Sequence, residues 1–194
     1  MAFRHGFKAE ANRIALKVRD KMGLGPVDPI DPEAICGKFD IVLMRLSELG
    51  CETRAFLGRD QSAFSAVTVP CGATTAIVHN DAHYAYRQRS NICHELAHCF
   101  LGHKYTPPLT EEGERAHDGG IEAEANFLGG CLLIPNEAAL HIVSQGLIPF
   151  AKQLYGVSQP MLDYRLRVSG AHTIHARKVS AGGRSRPTTL PRPA

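Results

Sequence analysis

The chain has 194 residues, of which 44% are hydrophobic and 21% charged, and its formal net charge is +3. This composition is typical of a globular protein with a buried core, and it excludes a polycation. No apolar run approaches the roughly 20 residues that span a bilayer. The opening segment, MAFRHGFKAEANRIALKVRD, lacks the apolar block of a signal peptide, so we expect a cytoplasmic protein.

In the first half of the chain, the spacing of apolar residues predicts two helices and a small sheet. The helices are expected at residues 7–22 and 31–38, and a strand is expected at 40–45. Three short β-like runs follow between residues 53 and 79, namely TRAFLGR, AFSAVTV and TAIVH. The turn signals between them indicate a mostly antiparallel sheet.

From about residue 84 the pattern becomes helical. Helices are expected around the sequence HELAH, at 121–133, from residue 135 onward, and as a pair at 147–155 and 158–168. A polar loop at 104–120 separates the first two. The sequence therefore predicts an α+β fold with a single domain over residues 1–170.

The C-terminal end is basic, with no acidic residue after Asp163. We expect residues 171–194 to be a disordered tail rich in Gly, Pro and Arg. Such an end can attract DNA or stay solvated as a simple soluble tail. The helix pair within 147–170 has helix-turn-helix proportions. No recognition helix is marked by clustered Asn, Gln and Arg, so packing against the rest of the domain is favoured.

The motif HELAH carries the clearest chemistry. His94 and His98 are one helical turn apart, so both imidazoles can face one ion, and neutral imidazole is a good zinc ligand. Glu95 lies beside the first histidine, where a carboxylate can take a proton from metal-activated water. The alternative is a helix whose buried polar cluster is satisfied by hydrogen bonds.

A catalytic zinc site needs a third protein ligand and an open fourth position. Leu101 and Lys104 stand where HExxHxxGxxH would place its glycine and third histidine, so that variant is excluded. The segment 120–128 offers Glu122 and Glu124, which lie about 200° apart on a helix. Asn126 follows Glu122 by one turn, which favours Glu122 as the ligand.

Other side chains have open roles. A thiolate from Cys71, Cys93 or Cys99 can cap a zinc ion, although a buried, inert thiol is the simpler interpretation. His103 and His117 can support the site or bind substrate, although most surface histidines do neither. Peptide hydrolysis also needs a group that stabilises the oxyanion. The candidates are Tyr84, Tyr86, Tyr155, Tyr164 and Arg165.

The motif HELAH followed by IEAEANFLGGCLLIP resembles the ImmA/IrrE family of zinc metallopeptidases. The likeness extends from IDPEAICGKFDIVLM, through AIVHNDAHYAYRQRSNICHELAH, to FAKQLYGVSQPMLDYRLRVSG, or roughly residues 30–170. The resemblance implies a minimal gluzincin fold, zinc ligands at His94, His98 and Glu122, and a general base at Glu95. It also implies cleavage of a partner helix-turn-helix repressor, which relieves repression of phage, mobile-element or DNA-damage genes, in some members in response to DNA.

A second hypothesis makes the protein a DNA-associated regulatory or antitoxin-like partner with a structural zinc site and no proteolysis. The two hypotheses differ at the metal, because a structural site fills the fourth position with a protein ligand, whereas catalysis keeps it open for water.

Overall fold

The structure of the protein, a computed structural model, describes residues 3–50, 53–58, 60–104 and 119–182. In chain order its elements are α1 (Phe7–Lys21), α2 (Pro32–Lys38), β1 (Ile41–Arg45), a 3₁₀ turn (Leu46–Leu49), α3 (Arg54–Leu57), β2 (Ala66–Cys71), β3 (Thr74–His79), α4 (Ala85–Leu101), α5 (Gly119–Leu133), α6 (Asn136–Ser144), α7 (Ile148–Tyr155), α8 (Gln159–Val168) and α9 (Ala171–Gly182).

The three strands form one sheet in the order β1-β3-β2. β2 and β3 are an antiparallel hairpin, with Ala66 opposite His79. β1 runs parallel to β3, with Ile41 opposite Thr75, because the chain between these two strands crosses over instead of turning back directly. The predicted α+β fold with a small sheet is confirmed, but the sheet is mixed and not mostly antiparallel.

The first of the three β-like runs, TRAFLGR, was wrongly predicted as a strand. Its residues 54–57 form the short helix α3. The side-chain amide of the fully buried Asn80 donates to the carbonyl oxygens of Phe56, Gln61 and Phe64, at 2.8, 3.3 and 3.0 Å. The carbonyl of Phe56 within this run is therefore bound to a buried amide and not in a strand ladder, and the same amide binds the carbonyls of Gln61 and Phe64 that follow the run.

α5 lies at the centre of the hydrophobic core. Its residues from Phe127 to Leu133 are all buried, and it packs against both α4 and α1. Two buried arginines bind the carbonyls at its C-terminal end. Arg19 Nη2 donates to Leu133 O at 3.2 Å, and Arg165 Nε donates to Ile134 O at 2.8 Å. Because the last carbonyls of a helix lack partners within the helix, these bonds fix where α5 ends.

The predicted helix pair at the C-terminal side is present as α7 and α8. Gly156 ends α7 in the left-handed conformation at φ 60°, and Ser158 caps α8 by accepting a bond from the Met161 amide at 3.4 Å. α8 buries Leu162, Arg165 and Leu166. This agrees with the prediction that the pair packs against the rest of the domain.

The predicted tail begins too early, because Ala171–Gly182 forms the helix α9. Ala171 is buried, and α9 packs on α6 and α8. The Gly, Pro and Arg enrichment that suggested disorder starts only near residue 181, so the ten residues before it are free to form a helix. Residues 183–194 lie outside the described part of the chain.

No single helix in the described ranges has the length and apolar character needed to cross a membrane. α5 and α6 reach that composition only when taken together, and they are bent by 50° at the break between them.

Candidate metal centre

The first two predicted ligands stand on α4, which is amphipathic. Tyr84 precedes the helix, and Gly102 ends it in the left-handed conformation at φ 64°. Its core side includes Cys93 and Leu96, both fully buried. His94 and His98 lie on the other side, one turn apart, with their ring centroids 4.7 Å from each other. The local fold therefore places two imidazoles together at the edge of the core.

The third predicted ligand is brought in by the antiparallel crossing of α5 over α4. The two helices are in close contact at Gly129, where a Cβ atom would lie only 3.0 Å from the carbonyl oxygen of Cys93. Going back along α5 from this point, Asn126 reaches His94 and Glu122 reaches both histidines. A side chain at the crossing would hold the helices apart, so glycine there allows Glu122 to reach α4.

Two imidazole nitrogens and a carboxylate meet at the centre of the site. The Nε2 atoms of His94 and His98 are 3.1 Å apart. Oε2 of Glu122 lies 3.2 Å from His94 Nε2, and Oε1 of Glu122 lies 3.5 Å from His98 Nε2. Within the described ranges, these three residues are the group of His, Cys, Asp and Glu side chains that could hold one metal ion.

These distances fit a zinc ion. Donor atoms at the usual 2.0–2.1 Å from zinc, arranged as a tetrahedron, lie about 3.3–3.4 Å from each other. The observed separations of 3.1 to 3.5 Å bracket that value. A His₂Glu donor set with one position left over is also the ligand set of known catalytic zinc sites.

The protons on the two imidazoles agree with this assignment. His94 Nδ1 lies 3.1 Å from Asn126 Oδ1, an acceptor, so Nδ1 carries the proton and Nε2 presents a lone pair. His98 Nδ1 lies 3.0 Å from His103 Nδ1 and can donate to it in the same way. Burial, together with the neighbouring His94, lowers the pKa of His98 to about 4. With the proton on Nδ1 of each ring, both Nε2 atoms present a lone pair to one point, as metal binding requires.

Glu95 stands beside this centre without belonging to it. It is 8% exposed, and burial raises the pKa of its carboxyl. The hydroxyl of Thr68 on β2 donates to Glu95 Oε2 at 2.7 Å, which partly offsets the effect of burial by favouring the carboxylate. A carboxylate held in this way is suited to accepting a proton.

The cysteines do not join the described metal group. Cys93 is fully buried on the core side of α4, and burial raises the pKa of its thiol to about 12. Cys99 is partly buried, and burial raises its pKa as well. Cys71 is exposed at the end of β2. The environments of Cys93 and Cys99 fit inert thiols, since the thiolate is the form that binds metal.

Two of the oxyanion candidates have structural partners. The Tyr155 hydroxyl donates to Val27 O at 2.7 Å, and Arg165 is fully buried against the end of α5. Tyr84 is 71% exposed and contacts Tyr86 edge to face. Tyr164 is partly buried near Gly130. The oxyanion group stays unassigned.

Two functional contacts were not foreseen in full. His103 was considered as a supporting residue, and it does contact His98, while His117 lies outside the described residues. The position of His103 directly after the Gly102 cap was the only feature of the sequence that indicated this contact. The bond from Thr68 to Glu95 gave no signal in the sequence, because it joins residues on a strand and a helix that are far apart in the chain.

A comparison with protein families gives one match that covers the whole site. The family model for the IrrE N-terminal-like domain, a family of peptidases, matches residues 36–167. This range includes β1 to β3, α4 and α5, and with them His94, Glu95, His98 and Glu122. No curated protein matches the chain.

Proposed function

The chain belongs to the IrrE N-terminal-like family of peptidases, and from this premise we propose that it is a zinc-dependent endopeptidase of narrow specificity. Its substrate would be a partner helix-turn-helix transcriptional repressor, whose cleavage relieves repression of phage-, stress- or defence-related genes.

The observation that carries the proposal is the donor set on α4 and α5. His94, His98 and Glu122 bring two imidazole nitrogens and a carboxylate to separations of 3.1 to 3.5 Å, close to those between the ligand atoms of tetrahedral zinc. When bound there, zinc supplies Lewis-acid chemistry to a peptide carbonyl and to water. The hydrogen bond from His94 Nδ1 to Asn126 Oδ1 holds His94 in the tautomer that metal binding requires.

The proton transfers of hydrolysis fall to Glu95. Its carboxylate takes a proton from the attacking water and passes it to the nitrogen of the leaving amine. Burial raises the pKa of this carboxyl, which makes the carboxylate a stronger base towards the attacking water. Thr68 orients the carboxylate through Oε2 and leaves Oε1 for the reacting water.

The sheet offers a place for an extended substrate. β2 is an edge strand that pairs with β3 alone among the described strands. Thr68 lies on β2 and contacts Glu95, so this edge borders the site. A peptide that hydrogen-bonds to the outer edge of β2 as an added strand would present its backbone to the metal ligands, which is how an endopeptidase selects internal bonds.

The identity of the substrate rests on the family resemblance of the sequence. A repressor encoded beside this chain is the first candidate, because peptidases of this type are often paired with their targets. DNA is proposed as an effector and not as a substrate, and the exposed basic residues beyond the buried Arg165, among them Arg167, Arg177 and Lys178, are its candidate contact surface.

The non-proteolytic alternative requires a zinc site closed by four protein ligands. The described part of the chain brings three such side chains together, with none of the described cysteines among them. In addition, Arg165 of α8 is turned into the core, where it binds a carbonyl and not a base edge. Both features favour the peptidase.

The decisive experiment combines zinc analysis with cleavage. The protein purified without chelator is expected to hold one zinc ion and to cut the neighbouring repressor at one position. Glu95→Gln should keep the zinc and lose the cleavage, and the exposed Glu33→Gln on α2 serves as the matched control. A zinc-loaded Glu95→Gln protein that still cuts would overturn the assigned base. An unmodified protein that takes up no zinc would overturn the proposed function itself.

A further inference from the structure

The outer surroundings of the two histidine ligands are not alike. The partner of His94 is the neutral side-chain amide of Asn126, at 3.1 Å. The partner of His98 is a second imidazole, His103, whose Nδ1 lies 3.0 Å from His98 Nδ1. His103 in turn faces a carboxylate, with its Nε2 3.8 Å from Oε2 of Glu124. The outer partner of the second ligand therefore leads to a negative charge, whereas the outer partner of the first is a neutral amide.

The direction of the bonds follows from the metal. If His98 Nε2 binds zinc, the proton of this neutral ring is on Nδ1 and must be donated. His103 Nδ1 is then the acceptor, so the proton of His103 is on Nε2, the atom that faces Glu124. At 3.8 Å that last contact is too long for a direct hydrogen bond, and it acts as an attraction between charge and dipole.

Burial and a further ion pair hold this arrangement in place. The side chains of His103 and Glu124 are only 11% and 17% exposed. Glu124 Oε1 also lies 3.2 Å from Nε of Arg4, which is itself bound to Glu10. Arg4 thus occupies one carboxylate oxygen and leaves the other for His103. The contact is shielded from water, so the charge of Glu124 is felt more strongly than at an exposed site.

We propose that His103 and Glu124 are positioning residues for the metal, acting through His98 as an imidazole–imidazole–carboxylate relay. The inference rests on the proposed zinc site. His103 fixes the tautomer and ring orientation of His98, and Glu124 stabilises the positive charge that spreads onto these rings when a cation binds. Glu122 and Glu124 therefore serve the same ion, one as a direct ligand and the other through two imidazoles.

The test measures zinc affinity of the full chain by competition with a chelator, beginning with the metal-free protein. His103→Leu should weaken zinc binding by about 10- to 100-fold, the range found when outer partners of metal ligands are removed. His103→Asn places an amide oxygen near the position of Nδ1 and should recover much of the loss. His172→Leu, on the exposed surface of α9, is the matched control and should bind zinc as the unmodified protein does.

A double-mutant cycle separates the relay from a general effect of charge. Glu124→Gln alone should weaken zinc binding several-fold. In the His103→Asn protein, whose side chain no longer reaches Glu124, the same change should have little further effect. Equal losses in both backgrounds would show that Glu124 acts through space and would refute the relay.

The outcomes distinguish the two levels of inference. If the unmodified protein binds no zinc, the proposed function fails. If it binds zinc and His103→Leu binds equally well, only the relay fails. Urea unfolding of each metal-free variant identifies any protein that is simply misfolded, and in that case His103→Asn and Glu124→Gln decide the result.

Discussion

Replacing Gly129 by alanine tests how closely α4 and α5 must approach for the metal ligands to meet. The new Cβ would lie 3.0 Å from Cys93 O and 3.1 Å from His94 N. Both atoms are backbone, so no side chain can rotate away, and the helices must separate by a few tenths of an ångström. Overpacking of this kind typically costs about 1–3 kcal/mol.

An opposing effect sets the net magnitude. Alanine is favoured over glycine inside a helix by about 0.8–1 kcal/mol. The metal-free Gly129→Ala protein should therefore lose about 1 kcal/mol of unfolding free energy, which for a chain of this length lowers Tm by about 2–4 °C. Its zinc affinity should fall by about tenfold, because zinc–ligand distances tolerate changes of only about 0.2 Å.

Gly37→Ala in α2 is the matched control. A Cβ at Gly37 has nothing within 4 Å, so only the gain in helix propensity remains. This variant should be more stable by about 0.5–1 kcal/mol and should bind zinc unchanged. Urea unfolding of the metal-free proteins and zinc competition measure both quantities. If the two alanines stabilise the protein equally and leave its zinc affinity unaltered, the close helix contact is not what sets the geometry of the site.

Three further results are expected. Glu95 must be ionised to accept a proton, and burial raises its pKa. We therefore expect kcat/KM for repressor cleavage to fall as the pH drops through that raised pKa. Thr68→Val removes a hydrogen bond to the carboxylate, so it should raise the pKa further and move this decrease in kcat/KM to higher pH. In the metal-free protein, burial lowers the pKa of His98 from its ordinary 6.5 to about 4. Between these two pH values the His98 side chain is therefore protonated in the unfolded chain and neutral in the folded one. The unfolding free energy should therefore decrease from pH 6.5 towards 4, by at most about 1.4 kcal/mol per pH unit, and urea titrations should show a flatter profile for His98→Asn. Asn80→Ala removes the buried amide that binds three carbonyls and should cost about 2–4 kcal/mol in the same assay, whereas exposed Asp163→Asn should cost little.

The candidate ligand set could be read from the sequence because its information is local. One helical turn separates His94 from His98, and another separates Glu122 from Asn126, so spacing alone places each pair on one face. The structure brings the two faces together. The roles of these residues in binding and catalysis stay predictions that the experiments above address.

Features that depend on contacts between distant segments were predicted less well. The sequences of β1 and β3 do not indicate that the two strands pair in parallel. The run TRAFLGR has the apolar pattern of a strand, but its Phe56 carbonyl is bound by the distant Asn80 side chain. The helix α9 was not predicted, because the Gly- and Pro-rich tail was expected to begin at residue 171. Ala171 is in fact buried against the core. The contact of His103 with Glu124 requires the α4–α5 crossing to be known first.

The proposed binding of a peptide at the outer edge of β2 would limit which bonds can be cut. A strand edge recognises main-chain amides, so it can engage only a stretch of several residues whose own amides are not already bonded to each other. A compact, fully helical DNA-binding domain offers no such stretch, whereas an interdomain linker does. We therefore expect the scissile bond to lie in a linker, where it would separate the DNA-binding part of a repressor from the part that dimerises it, and local unravelling of the target would control the rate.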